Sequence, residues 1–242
     1  MSILVITGTG TGVGKTMITA AIAALAVDGG QRVAVVKPAQ TGVGTHEPGD
    51  LDEVARLAGK ITSRELRRYP EPLAPDTAAT RAGLPQVRPG EAAAVVADLA
   101  SDHDLVLVEG AGGLLVRFDD TGGTLADVAW ALNALVLVVA EAGLGTLNVT
   151  ALTAEVLLRR GVECAGVLIG RWPERPDLAS RCNLVDLPEA AGAPLLGVLP
   201  DGAGLLDAVE FLGVARAALS PWLGGAFDPD LFADRYTASR EE

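Results

Sequence analysis

Short apolar runs alternate with longer stretches of helical character from one end of the chain to the other. The runs Ile3 to Ile6, Arg32 to Val36, Leu105 to Val108, Ala134 to Ala140, Ala165 to Ile169 and Leu195 to Val198 barely alternate between polar and apolar positions. That is the mark of strands buried on both faces. Between them Lys15 to Asp28, Leu51 to Ala58, Glu91 to Ala100, Leu125 to Ala131, Leu147 to Arg160 and Leu205 to Leu219 read as helices. Strand and helix in alternation predict an α/β fold, a mostly parallel sheet flanked by helices on both faces. Tyr69 to Pro89 carries Pro70, Pro72, Pro75, Pro85 and Pro89 and reads as a long ordered excursion. In such a sheet ligands bind beyond the carboxyl ends of the strands, so the loops that follow the strands are where chemistry is sought.

Composition narrows the chemistry. The 242 residues hold 19 basic and 31 acidic side chains, a formal net charge of −12. A chain of that sign repels phosphate backbones and anionic lipid, so neither nucleic acid nor membrane is an expected partner. With 4% aromatics, stacking platforms for single strands are also lacking. Two cysteines, Cys164 and Cys182, are too few for a disulfide framework and point to a reducing, cytoplasmic compartment. With His46 and His103 as the only histidines, a zinc site or a Ser/His/Asp triad is excluded. Met17 to Val27, ending in Ala24-Leu25-Ala26, imitates a secretion signal, but a glycine-rich strand and turn precede it where a basic region should stand. Glycine is the excess that matters: 29 residues, well above the average of about 7%.

Ten residues of that excess region follow the first strand: Thr7-Gly8-Thr9-Gly10-Thr11-Gly12-Val13-Gly14-Lys15-Thr16, and then a helix. Small residues let backbone N–H groups converge on phosphate oxygens, and the helix N-terminus adds its positive dipole end. Lys15 is placed to reach the β- and γ-phosphates and Thr16 to hold Mg²⁺. From Gly8 to Gly14 the loop is one residue longer than the standard phosphate-loop spacing. The 1–242 chain is therefore expected to form a single P-loop NTPase-like domain, with a frayed polar tail at 237–242.

A second cation and a carboxylate stand at the same sheet edge. Val35-Val36-Lys37-Pro38 ends the second strand, and Lys37 can neutralise charge on a transferring phosphoryl group. Leu105 to Val108 runs straight into Glu109, Gly110, Ala111, Gly112 and Gly113. A carboxylate after four buried strand residues needs a partner, and Mg²⁺ at a triphosphate is the natural one. Asp50 directly precedes an apolar helical stretch, where an N-cap is the default reading.

The motifs TGTGTGVGKT, KPAQTG, LVLVEGAGGLLV and GLGTLNVTALT, in that order, resemble the dethiobiotin synthetase family from Ile3 to about Pro200. The resemblance implies ring closure on 7,8-diaminononanoate. Carbon dioxide, drawn from bicarbonate, adds to one amine as a carbamate, a nucleoside triphosphate such as ATP phosphorylates it, and the second amine displaces phosphate. It implies Lys15 and Lys37 as catalytic cations and Thr16, Asp50 and Glu109 as Mg²⁺ ligands, which upgrades Asp50 from a cap. The nucleotide would meet Gly12, Val13, Gly14, Lys15, Thr16 and Met17, then Asp50, then Glu109, Gly110, Ala111 and Gly112. Gly170 and Arg171, with Pro200, Asp201 and Gly202, would face the base. Thr11, Lys37 and Thr41 would contact the substrate. Gly143, Leu144, Gly145, Thr146, Leu147 and Asn148 open a helix whose free N–H groups suit a carboxylate. In the family that segment comes from the second subunit of a homodimer.

Two departures from the family pattern stand out. Gly12 replaces an acidic residue of some relatives, and Gly170-Arg171 replaces an Asn-Asp pair whose Asn reads adenine. The base would then be read through backbone groups near Gly170 and Pro200 to Gly202. The competing reading is a regulatory switch ATPase of the MinD or ParA type, which shares a phosphate loop. Its signature lysine would fall on Gly10, and no basic membrane- or DNA-binding element is present. The cobyrinic acid amide synthases, similar at the front, need a glutaminase domain for which 242 residues leave no room.

Overall fold

The chain, described from residue 2 to residue 237 in a computed structural model, alternates strand and helix throughout. Strands are β1 (Ser2–Gly8), β2 (Val33–Thr41), β3 (Thr62–Tyr69), β4 (Leu105–Gly113), β5 (Leu135–Ala140), β6 (Cys164–Trp172) and β7 (Leu195–Pro200). Helices are α1 (Lys15–Asp28), α2 (Asp50–Ala58), α3 (Pro75–Ala82), α4 (Pro89–Asp102), α5 (Leu125–Leu132), α6 (Thr146–Arg159), α7 (Leu178–Ala191), α8 (Ala208–Ala218) and α9 (Pro229–Thr237). The sheet has the order β3-β2-β4-β1-β5-β6-β7, and its strand pairings are parallel.

Parity within the strands assigns the two layers. Leu4 and Ile6 of β1, Leu105 and Leu107 of β4, and Leu137 and Val139 of β5 face one core, with α1, α2 and α8 over them. Their neighbours Val5, Val106, Val108, Val136 and Val138 face the other, under α3, α4 and α5. Successive strand side chains point to opposite faces, so a run of consecutive apolar residues serves both cores at once. That is why the sequence pattern hardly alternates. A third cluster, around Trp172, Leu187 and Phe227, joins β6 and β7 to α7 and α9.

Six strands lie where the apolar runs predict them, and β3 was not foreseen. Its sequence, Thr-Ser-Arg-Glu-Leu-Arg-Arg-Tyr, is charged because it is an edge strand. Arg67 and Arg68 pair with Glu91 and Glu65 on its exposed sides, and charge on an edge deters pairing with other chains. The proline-rich excursion is ordered as expected, but it contains a helix. Pro75 sits at the first position of α3, where its missing N–H costs nothing. The helix expected from Leu205 to Leu219 is two pieces, a 3₁₀ turn Ala203–Leu205 and α8, because Asp207 caps the backbone N–H of Val209 and Glu210. Helices α7 and α9 were also missed; α7 carries Pro188 inside it and has no clean apolar stripe. Beyond Thr237, the tail expected to fray lies outside the described residues. None of the described helices is long and apolar enough to cross a membrane.

Candidate functional site

The carboxyl ends of β1, β2 and β4 open on one cavity of about 760 Å³. Its lining brings together Thr11, Gly12, Gly14, Lys15, Thr16 and Met17 of the glycine-rich turn and α1. Lys37 and Thr41 come from β2, Asp50 from α2, and Glu109, Gly110, Ala111 and Gly112 from β4. Residues separated by almost a hundred positions thus meet because the sheet order sets β4 between β1 and β2.

The turn after β1 has the geometry of a phosphate cradle. Gly12 and Gly14 have φ of 78° and 97°, a left-handed backbone that L side chains rarely adopt. Lys15 curls back over the loop and donates to Gly10 O at 2.9 Å. Burial first, and Lys37 second, lower its pKa from 10.5 to about 8. Its ammonium therefore stands in a desolvated place with incomplete compensation, a setting an anion would relieve.

Lys37 is compensated in full. Its ammonium donates to Glu109 Oε1 at 2.8 Å and to Gly110 O at 3.1 Å, and pairs with Asp50. Burial alone would lower its pKa, but Glu109 and Asp50 outweigh it and hold the group protonated. Glu109 is fully buried. Its Oε1 also accepts from Thr16 Oγ1 at 2.9 Å, whereas Oε2 is buried without a donor. A buried carboxylate oxygen left unmatched is costly. Two carboxylates, a threonine hydroxyl and that open oxygen could hold a hard divalent cation whose remaining ligands are phosphate oxygens and water.

Asp50 is not a helix cap. The cap of α2 is Gly49, whose N–H donates to Asp52 Oδ2 at 2.7 Å. With that task taken by Asp52, Asp50 is free to face Lys37. Gln40 holds it there: buried on β2, its Oε1 accepts from Asp50 N at 2.9 Å. Gln40 was quoted within the KPAQTG motif without a role. Its placement, three residues past Lys37 on β2, becomes readable only with the sheet in place. Pro72, Leu73, Ala74 and Pro75 of the proline-rich excursion also line the cavity, another contribution the sequence did not announce.

Other expected site residues lie outside this lining. Val13 is packed in the core, 2% exposed, and offers only its backbone. Gly170 lies behind the phosphate loop, and a Cβ there would strike Val13 O and Gly14 Cα. No side chain fits at 170 in this backbone without a shift of the phosphate loop. Arg171 does line the cavity, pairing with Asp201 at 3.0 Å and lying 3.5 Å from Gly12 O. Pro200 and Gly202 flank Asp201 at the end of β7. Gly143 to Asn148 do not line the cavity. They form the start of α6, with Gly145 in the left-handed region at its N-terminus and Asn183 Nδ2 holding Ala142 O and Gly143 O at 2.7 and 3.0 Å. Thr146 Oγ1 there is buried without a partner, while Leu144 is 93% exposed.

A family model described as an AAA domain matches residues 2–208. The ATP-dependent dethiobiotin synthetase of Streptomyces avermitilis is 66% identical over 236 residues, covering 98% of this chain and 99% of that one. That of Rhodococcus jostii is 57% identical over 222 residues, covering 92% and 94%. This chain belongs to the ATP-dependent dethiobiotin synthetase family. Among solved structures, the cell division ATPase MinD of Pyrococcus furiosus matches with a TM-score of 0.55 at 21% identity, covering 98% of this chain and 99% of that one. A ParA family ATPase of Chlorobium tepidum gives 0.56 at 15%, covering 92% and 96%. At those identities the likeness is one of fold alone. The P-loop NTPase-like sheet is common to synthetases and switch ATPases, and the sequence relatives separate them.

Proposed function

We propose that the protein is a dethiobiotin synthetase that closes the ureido ring on 7,8-diaminononanoate at the expense of a nucleoside triphosphate, as a step in biotin formation. The constellation of buried Lys37 and Glu109 with half-buried Asp50 beside the phosphate loop carries this reading. It is a site for neutralising phosphoryl charge.

The first amine adds its lone pair to carbon dioxide and loses a proton, giving a carbamate. A carbamate oxygen then attacks the γ-phosphorus and the diphosphate leaves. The second amine attacks the carbamoyl carbon and loses a proton, the carbamoyl C–O bond breaks with inorganic phosphate as the leaving group, and the five-membered ring is closed. Lys15 binds the β- and γ-phosphates in place of its contact with Gly10 O. Lys37 stands by the carbamate and the transferring phosphoryl group, where positioning and charge supply most of the rate. Thr16, Asp50 and Glu109 would hold Mg²⁺, which supplies neutralisation of the triphosphate when bound. Thr11 and Thr41 edge the part of the cavity assigned to the diamine. The nucleobase would lie toward Gly170, Arg171 and Pro200 to Gly202, met by backbone groups rather than by an amide side chain.

The N-terminus of α6 suits the substrate carboxylate, with first-turn N–H groups and the unpartnered Thr146 hydroxyl. Because that segment does not line the cavity of its own chain, a second copy would supply it. Exposed Leu144, Val149 and Leu152 beside it fit such an isologous contact. The deciding experiment incubates the protein with the diamine, bicarbonate, Mg²⁺ and ATP. Dethiobiotin formed in step with ATP consumption is the expected result, and ATP hydrolysis indifferent to the diamine would overturn the reading. CTP, GTP and UTP assayed beside ATP are expected to support turnover as well.

A further inference from the structure

Past Asp50, α2 carries a pair that the proposed reaction does not use. Arg56 Nε donates to Glu53 Oε2 at 2.8 Å and its Nη2 to Glu53 Oε1 at 2.5 Å. An exposed pair three residues apart on a helix ordinarily contributes little. Here the same guanidinium reaches a different element: Nη1 donates to Leu206 O at 3.0 Å and Nη2 to Gly204 O at 2.5 Å. Glu53 orients the planar fork, and the fork binds one carbonyl within the 3₁₀ turn Ala203–Leu205 that follows β7 and one just past its end, at Leu206. Sequence separations of 148 and 150 residues make this a tertiary clamp, not a local helix contact.

That turn is continuous with Pro200, Asp201 and Gly202, the segment assigned to the nucleobase. The turn also meets α1: a Cβ on Gly204 would stand 2.8 Å from Met17 Sδ, one residue beyond Thr16, and 3.6 Å from Glu53 Oε1. The turn is therefore seated against two helices whose first residues, Lys15 and Thr16 on α1 and Asp50 on α2, serve the phosphate end of the cavity. Leu205, at the end of the turn, is 91% exposed.

We infer that Arg56, oriented by Glu53, is a positioning residue for the base half of the nucleotide site. It sets the distance from the phosphate loop to the turn that meets the base, and it ties that turn to the helix bearing Asp50. This rests on the proposed nucleotide binding and adds which ligands will notice: those with a base and ribose, and not the bare phosphate chain. Inorganic tripolyphosphate needs only the phosphate loop, Lys37 and the two acids.

The test titrates the full chain with Mg-ATP and with Mg-tripolyphosphate by calorimetry, for the wild type, Arg56→Ala, Arg56→Lys and Glu53→Gln, with melting temperatures alongside. Arg56→Ala is expected to weaken ATP by about tenfold while tripolyphosphate stays within about twofold. Lysine cannot reproduce a fork shared between a carboxylate and two carbonyls, so Arg56→Lys should restore little, and Glu53→Gln should fall between. Equal weakening of both ligands would reduce Arg56 to a general stabiliser and overturn the inference, as would unchanged ATP affinity in Arg56→Ala. A wild-type chain that binds neither ligand would instead overturn the nucleotide reading on which the inference rests.

Discussion

Replacing Lys15 by methionine is expected to stabilise the ligand-free protein while abolishing nucleotide binding. Folding carries the Lys15 ammonium into a place where burial, and then Lys37, lower its pKa from 10.5 to about 8. A base with a lower pKa folded than unfolded binds fewer protons in the folded state, so its charged form opposes folding. The cost is complete below about pH 8, where the residue is charged in both states, and disappears above 10.5, where it is neutral in both. At about 1.4 kcal/mol for each power of ten in proton affinity, the cost is about 3 kcal/mol. Methionine keeps the length and apolar stem without the charge, but gives up the hydrogen bond to Gly10 O, worth about 1 kcal/mol. The net gain at pH 7 is about 2 kcal/mol, or roughly 4–8 °C in melting temperature for a chain of this size. Thermal melts without nucleotide at pH 7 and pH 10 check it, and the gap between variant and wild type should narrow at the higher pH. Saturating Mg-ATP should reverse the order, since only the wild type gains from binding. A variant that melts at or below the wild type at pH 7, or a gap independent of pH, would refute the reasoning.

The same lysine makes nucleotide affinity pH-dependent. Bound phosphate restores its proton, so the Kd for Mg-ATP should climb above about pH 8, approaching tenfold per pH unit, and a Kd constant from pH 7 to 9 would remove Lys15 from the phosphates. Lys37→Ala should lower turnover by orders of magnitude and also lower the melting temperature, because it strands the fully buried Glu109, a loss of about 3–5 kcal/mol. Adding Glu109→Gln should recover the melting temperature but not turnover, and wild-type turnover in Lys37→Ala would exclude Lys37 from the mechanism. Gly170→Asn should weaken every nucleotide rather than select adenine, because its Cβ meets Val13 O; a folded variant with a sharpened preference for ATP over CTP, read from their Kd values, would contradict this.

What could be read from the chain, and what could not, divides along physical lines. Strands buried on both faces announce themselves by composition alone, so β1, β2, β4, β5, β6 and β7 were visible. The edge strand β3 was not, because Arg64, Arg67 and Arg68 look like loop residues until a sheet stands beside them. Lys15 was legible because it opens α1, and Lys37 and Glu109 because each follows an apolar run, although β2 and β4 were expected to end there and in fact continue to Thr41 and Gly113. Their mutual geometry was not. Lys37 was expected to face phosphate, and it lies between the two carboxylates assigned to the metal. No one-dimensional pattern shows which of several facing charges will pair. Gln40 and Arg56 were missed for the same reason, since each acts through backbone groups of a remote or neighbouring element, and backbone leaves no trace in a sequence.

The net charge of −12 and a triphosphate ligand coexist because electrostatics in salt water is short-ranged. At physiological ionic strength the screening length is about 8 Å, so most of the surface acids are not felt at the phosphate loop. Many are also answered locally, as Asp104 is by Arg32, Glu71 by Arg81 and Asp28 by Arg216. Within the cavity the balance is different. Lys15 and Lys37 face Asp50 and Glu109 and Arg171 is paired with Asp201, so the side-chain charges cancel, and the turn's N–H groups and the α1 N-terminus add a positive excess made of backbone dipoles. A site of that kind attracts a polyanion chiefly after water has been displaced. It follows that affinity here should depend on loop geometry more than on overall charge. Neutralising Asp98 and Asp102, exposed near the end of α4 where the chain enters the start of β4 and not its cavity end, should therefore leave the Kd for Mg-ATP within about twofold at physiological salt. A several-fold tightening on that neutralisation would show instead that the long-range field governs binding.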